Sequence, residues 1–174
     1  MVTAVKHEEK KMRAVVSKNE RIAPEFRVSG RISKPVHDVF EAVVDPKQLS
    51  GYFTTGGAKG RLETGATVTW DFHDFPGAFP VHVVEVVQDK KIVLNWGAAD
   101  GTPDQGGPYE TTVTMTFDGL EDGRTLVTIG ESGWRDTAAA VKASYGNCEG
   151  WTGMLCALKV YLEHGFNFRL GFYK

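Results

Sequence analysis

The chain has 174 residues, 41% of them hydrophobic and 24% charged, which excludes a disordered, collagen-like or low-complexity protein. With 20 Lys and Arg against 22 Asp and Glu the net charge is −2, so no basic field exists to hold a nucleic acid. No apolar run approaches the roughly 18 residues of a membrane span, and the first residues lack the apolar core of a signal peptide. The expectation is a cytoplasmic protein.

Residues 1–24 mix Lys6, Glu8, Glu9, Lys10, Lys11 and Arg13 with a short run of Ala14, Val15 and Val16, and read as an appended arm. From Phe26 the chain alternates: Phe26, Val28, Gly30 and Ile32 share one parity, and Arg27, Ser29, Arg31 and Ser33 the other. That is a strand with one wet face. Ser33-Lys34-Pro35 then opens a helix through Val36, Val39, Phe40 and Val43, since proline suits a first helical turn, and Asp45-Pro46 stops it. A short second helix through Gln48, Leu49 and Tyr52 gives way to a loop over 54–60.

Strands follow at 67–73, 81–88, 92–96, 109–117 and 125–132, separated by Gly, Pro and Asp clusters. The connectors Phe75-Pro76-Gly77, Asp89-Lys90-Lys91 and 118–123 are short enough for hairpins, which predicts an antiparallel meander with its longest loop at 98–108. After Trp134 the period becomes helical. Trp151, Leu155, Leu158 and Leu162 fall on one face of a helix expected over 136–164. Gly146, Gly150 and Gly153 each cost about 1 kcal/mol in a helix interior. They are expected to mark a bend or the close approach of another backbone.

Helices segregated to one side of an antiparallel sheet make the fold α+β, a curved sheet gripping a long C-terminal helix, and that arrangement tends to leave an apolar cavity. The domain is expected over 25–165, followed by a tail at 166–174. There Phe166, Phe168, Leu170 and Phe172 recur at period two and call for a cover. Either the tail folds back onto its own sheet or cavity mouth, or it meets a second chain to form a homodimer.

Cys148 and Cys156 would lie about 12 Å apart along a shared helix, beyond disulfide reach, and neither belongs to a metal-ligand cluster. The loop Gly56-Gly57-Ala58-Lys59-Gly60 lacks the Ser or Thr of a phosphate-binding loop. No metal and no cofactor is expected.

Three segments carry a family likeness. PVHDVFEAVVDPKQLSGYF (35–53) resembles an opening helix pair, and VHVVEVVQDKKIVLNW (81–96) resembles a central hairpin ending in Trp. RTLVTIGESGW (124–134) with GWTGMLCALKVYLEHG (150–165) resembles the closing strand and helix of the activator-of-heat-shock-protein-90-ATPase homologue-like family. That family lies in the START/Bet v 1-like, or SRPBCC, superfamily. The resemblance implies a helix-grip fold with a hydrophobic pocket, and members mostly described as ligand-binding or stress-related. The family's co-chaperones look to carry a separate N-terminal docking domain, which about 24 residues are too few to supply, so a chaperone contact ranks below ligand binding. Gly51-Tyr52 stands before Phe53 where the family commonly has Arg-Trp.

For the site, Val127, Ile129 and Glu131 alternate with Thr128, Gly130 and Ser132, which turns Glu131 inward if the aliphatic face lines the cavity. A carboxylate in apolar surroundings has its ionised form disfavoured, which suits a hydrogen-bond donor to a ligand or a general base. His82 shares the parity of Val84 and Val86 and is the expected pocket histidine. Trp70, Phe72, Trp96, Met115, Trp134, Trp151 and Leu155 would supply contact area, and Cys148 shares a helix face with Trp151. The expected function is binding of a small hydrophobic molecule, with an enzyme using Glu131 as acid or base, or a protein-interaction module, as alternatives.

Overall fold

The computed structural model describes residues 23–173, so the arm, apart from residues 23 and 24, lies outside the described residues. The elements are β1 (Phe26–Ile32), α1 (Val36–Val44), α2 (Pro46–Ser50), β2 (Gly57–Lys59), β3 (Thr67–Phe72), β4 (Phe75–Val87), β5 (Lys91–Gly97), β6 (Glu110–Gly119), β7 (Thr125–Ser132) and α3 (Ala138–His164). The seven strands form one antiparallel sheet in the order β1-β7-β6-β5-β4-β3-β2. All but one step of that order is a hairpin neighbour. The exception is β1 beside β7, and the crossover through α1 and α2 carries the chain from β1 at one edge to β2 at the other.

Local chemistry accounts for the ends. Asp45 caps α2 by accepting the Lys47 N–H at 2.8 Å, and Thr137 caps α3 by accepting the Ala140 N–H at 3.1 Å. Gly165 ends α3 at φ +69°, a left-handed conformation that glycine adopts without cost. The C-terminal half of α3 is tied to the first strand and its exit: Lys159 Nζ donates to the Arg31 carbonyl at 3.1 Å, and the Ser33 N–H donates to Glu163 Oε1 at 2.6 Å. Lys159 and the Ser33 N–H together hold the Glu163 carboxyl below its usual range.

Two expectations about the middle of the chain need correction. Residues 57–59, expected in a loop, form the edge strand β2, because the Ala58 N–H is held by Ser50 Oγ at 2.9 Å while Ala58 pairs with Trp70. The hairpin turn lies at His73-Asp74 rather than at Phe75-Pro76-Gly77, since Phe72 pairs directly with Phe75 and β4 starts there. The first part of β4 therefore outruns β5, whose pairing begins only at the Val81–Trp96 step. Pro80 is accepted in this stretch because it has a strand on one side only.

Of the helix glycines, Gly153 alone meets a close neighbour, the Tyr173 hydroxyl, in the space a β-carbon would need. Gly146 and Gly150 meet no atom within 4 Å, so among the described residues no close backbone approach, one of the two alternatives expected there, accounts for them. The core lies between the concave face of the sheet and the helices. Phe40 meets Phe117 edge-on at 5.3 Å, and the buried Tyr52 hydroxyl donates to the Ala42 carbonyl at 3.1 Å, its phenol pushed up by burial.

Candidate functional site: a tryptophan cluster on a buried carboxylate

Glu131 is 1% exposed on β7, where Thr125, Val127 and Ile129 share its inward parity. Its Oε1 accepts from Trp96 Nε1 at 2.9 Å, Thr111 Oγ1 at 2.6 Å and Asn147 Nδ2 at 3.0 Å. Its Oε2 accepts from Trp151 Nε1 at 3.0 Å and again from Asn147 Nδ2 at 3.2 Å. Two indoles, a hydroxyl and an amide thus serve one carboxylate, with no Lys or Arg among these partners. A carboxylate offers about four lone-pair sites, and here they are occupied. Hydrogen bonds of this kind are what make such burial tolerable, because an unpaired buried carboxylate is far more costly. The oxygens work as acceptors, and proton abstraction by either would first require a donor to leave.

The donors come from three elements. Trp96 is the penultimate residue of β5, Thr111 is the second residue of β6, and Asn147 and Trp151 stand four residues apart on one face of α3. Glu131 therefore fastens the sheet to the N-terminal half of the long helix. Around it the rings pack in sequence-distant pairs. Phe53 stacks on Trp151 at 5.5 Å, and Trp96 tilts against Trp151 at 5.2 Å. Trp70 meets Phe53 edge-on at 5.6 Å and Trp96 at 6.0 Å, and Phe72 stacks on Phe79 at 5.9 Å. Offset and edge-on geometries at these separations are the favoured ones for aromatic pairs. The buried indole N–H of Trp70 finds no hydrogen-bond acceptor among the described residues.

Of the residues singled out from sequence, Trp70, Phe72, Trp96, Glu131 and Trp151 come together here, with Leu155 buried one turn along α3. Met115 is buried elsewhere, between Ile92 and Ile129 in the aliphatic half of the sheet. Trp134 is buried outside the main core cluster. Cys148 is partly buried beside Asn147, and both cysteines are free.

His82 is not in the pocket. Val81 and Val83 are buried, while His82 lies on the outer face with Nε2 3.3 Å from Glu110 and Nδ1 3.1 Å from Thr67 Oγ1. Of the two valines that share its parity in the sequence, Val84 is 50% exposed like His82 and only Val86 packs on the core, because a register shift between Val83 and Glu85 inverts the alternation. Phe53, Phe79, Thr111 and Asn147 belong to the site and escaped the sequence reading. Thr111 shares the parity of Val113 and Met115, and Asn147 precedes Trp151 by one helical turn, so both had a detectable signal.

Two features border the cluster. A cleft of about 390 Å³ opens where β4 outruns β5, lined by Phe79, Pro80, Gly97, Pro108, Tyr109 and Glu110. On one side of it the Tyr109 hydroxyl donates to Asp100 Oδ1 at 2.5 Å, and burial, with that hydrogen bond, pushes the phenol up to about 12. The Arg135 guanidinium lies 4.1 Å from the Tyr109 ring centre and donates to the carbonyls of Gln105, Gly106 and Gly107 at 2.7, 3.2 and 2.9 Å. Arg135 thereby shapes the 98–108 loop.

The second feature is the tail, which folds back as a strap. Arg169, 7% exposed, donates to Asp74 Oδ2 at 2.8 Å in the β3–β4 turn, and its guanidinium lies 4.3 Å from the Tyr173 ring centre and 5.9 Å from that of Phe72. The expected cover over the tail's apolar parity does not come from its own sheet. Phe166, Phe168, Leu170 and Phe172 are exposed by 62%, 37%, 74% and 52%, while Arg169 takes the inner side. A buried ion pair has decided which parity turns inward.

Among the described residues, no group of His, Cys, Asp and Glu could hold a metal ion, and no helix is long and apolar enough to cross a membrane. Residues 33–163 match the family described as activator of Hsp90 ATPase homolog 1-like protein. Among solved structures, the chain is similar to protein SSP2350 from Staphylococcus saprophyticus, with 30% identity over 84% of this chain and 96% of that one, at a TM-score of 0.68. It is similar to DynU16, a protein of the dynemicin biosynthetic locus, with 27% identity over 83% of this chain, a TM-score of 0.67 and about half, 49%, of that chain covered. The Aha1 dimer from Colwellia psychrerythraea, 19% identical over 82% of this chain and 98% of that one at a TM-score of 0.63, shares the fold. No curated protein matches the chain. Family match, strand order and long closing helix agree: this chain belongs to the activator of Hsp90 ATPase homolog 1-like family and has its START/Bet v 1-like helix-grip fold.

Proposed function

We propose that this protein is a cytoplasmic binder of a small hydrophobic molecule, taken up between the curved sheet and α3 against the Trp70, Trp96, Trp151, Phe53 and Phe72 rings. The observation that carries this reading is the Glu131 hub. A buried carboxylate with four neutral donors sets the planes of two tryptophans and ties them to the helix, an arrangement that suits a preformed contact surface for a ligand. The acceptor-free Trp70 N–H suits a ligand carrying one oxygen acceptor. Acid–base catalysis by Glu131 is the weaker reading, because its lone pairs are already engaged.

Native mass spectrometry of freshly purified protein, followed by tryptophan-quenching titration with anilinonaphthalene sulfonate, tests the proposal. The expected result is either a bound mass lost on denaturation or saturable quenching that Trp151→Ala weakens about tenfold. A bare mass with no quenching would overturn it.

A second reading, self-association through the strap, is favoured by the outward apolar parity. With Phe75, which is 67% exposed, the five side chains present on the order of 500 Å² of apolar surface, somewhat below the roughly 800 Å² a standard interface takes from each partner. Light scattering of the full chain against Leu170→Asp should show a dimer reduced to monomer. A monomeric parent protein would end this reading.

A further inference from the structure

The strap that closes the chain makes a second bridge between two elements that the ring cluster already joins. Phe72 at the end of β3 reaches Trp151 on α3 through Phe53, with ring centres 5.0 and 5.5 Å apart. Two residues beyond Phe72, Asp74 accepts from Arg169 Nη2 at 2.8 Å, and the Arg169 guanidinium lies 4.3 Å from the Tyr173 ring centre. The Tyr173 hydroxyl in turn fills the space that a β-carbon of Gly153 on α3 would need. Because the guanidinium also lies 5.9 Å from the Phe72 ring centre, the strap borders the ring row from outside, across the space between the β3–β4 turn and the helix.

Within itself the strap is well tied. Asn167 Oδ1 accepts from the N–H groups of Arg169 and Leu170 at 3.1 and 3.2 Å, and the Phe172 N–H donates to the Arg169 carbonyl at 3.1 Å. The Phe172 ring packs on Phe168 and Tyr173 at 5.0 and 4.9 Å, and Gly165, left-handed at φ +69°, supplies a hinge at the end of α3. Its hold on the body of the domain is weaker by construction. Two charges give up their water in the Arg169–Asp74 pair, and the buried Tyr173 hydroxyl finds no hydrogen-bond partner among the described residues. Phe166, Phe168, Leu170 and Phe172 are largely exposed already and lose little burial when the strap lifts.

We infer that the strap is a latch on the ring cluster: residues 166–173 swing out as one body about Gly165, and release of Arg169 from Asp74 opens the way to the rings. Passage of a ligand into the site proposed above is then set by that opening. What passes rests on the ligand-binding reading, whereas the closure rests on the strap contacts alone.

Acrylamide quenching of tryptophan emission and stopped-flow mixing with anilinonaphthalene sulfonate read the latch in the full chain. Two variants loosen it from opposite ends. Asp74→Ala removes the acceptor on the sheet side, and Gly153→Ala puts a methyl group where the Tyr173 hydroxyl sits while favouring the helix itself. Each should raise the acrylamide quenching constant about twofold, with Trp134, outside the cluster, diluting the change. Each should also speed association and dissociation of the dye alike by about fivefold with Kd unchanged, the factor that about 1 kcal/mol of lost latch energy gives. Asp122→Asn, on the far β6–β7 turn, should change neither reading. Quenching that stays at the parent level in both variants would overturn the latch. So would a dye affinity that falls while the association rate holds, since the strap would then be a wall of the site. A parent protein that takes up no dye ends the ligand reading and leaves the latch to be decided by quenching alone.

Discussion

The space between sheet and helices has two halves that are built on different principles. Around Phe40, Val43, Met115, Phe117, Val127 and Ile129 the lining is aliphatic with two edge-on rings. Side chains there need only the right volume and a good rotamer, because dispersion and burial are not directional. Around Glu131 the same sheet and helix meet through five directed hydrogen bonds, and each ring plane follows from where its N–H must point. The first half can be filled by many sequences. The second specifies positions, which is why it and not the larger aliphatic half is the candidate site.

Removing the hub should give the largest effect. Glu131→Ala strands two indole N–H groups, a hydroxyl and an amide in the interior and should cost about 3–5 kcal/mol in urea unfolding. A loss near 1 kcal/mol would place the cluster on a par with the aliphatic half. Met115→Ala, the matching deletion in that half, should cost about 2–4 kcal/mol while leaving tryptophan emission in the native state unchanged. An emission shift equal to that of Glu131→Ala would erase the contrast between the halves.

Trp151→Phe keeps the stack with Phe53 but removes one directed bond, and should cost about 1–2 kcal/mol. The strap offers a sharper comparison still. Breaking a fully enclosed ion pair usually costs several kcal/mol, but Arg169 can swing into water with the tail, so Asp74→Ala should cost only about 1 kcal/mol. Hydrogen exchange should quicken over residues 167–173 and stay unchanged at Glu131.

The smallest effect is one of pH. Tyr109 has its phenol raised from 10.0 to about 12 by burial and by donation to Asp100, so the folded state favours the neutral form. Its contribution is fully present below pH 10 and fades as pH rises through about 12. Phenolate absorbance should show an ionisation step near pH 12, and Tyr109→Phe should remove it.

Much of this was legible along the chain. Alternation over Val127, Ile129 and Glu131 placed the carboxylate inward, and i, i+4 spacing put Trp151 and Leu155 on the buried face of α3. What alternation could not reveal was a point where it breaks. The shift between Val83 and Glu85 reverses β4, so reading back from Val86 put His82 inside when it lies outside. The tail misled in a related way. Its apolar period is real, but the partner that fixes its inner side, Asp74, stands 95 residues earlier.

By itself, then, the amino-acid sequence determined the helix-grip class, the order of the elements apart from the edge strand β2, and the inward carboxylate, because periodicity, caps and turn residues act over a few positions and survive without knowledge of the rest. Tertiary structure alone decided which donors reach Glu131, that the strap turns its aromatic side outward, and that a cleft opens where β4 outruns β5. These depend on register and on contacts between residues dozens of positions apart, and a one-residue shift in pairing is enough to exchange the two faces of a strand.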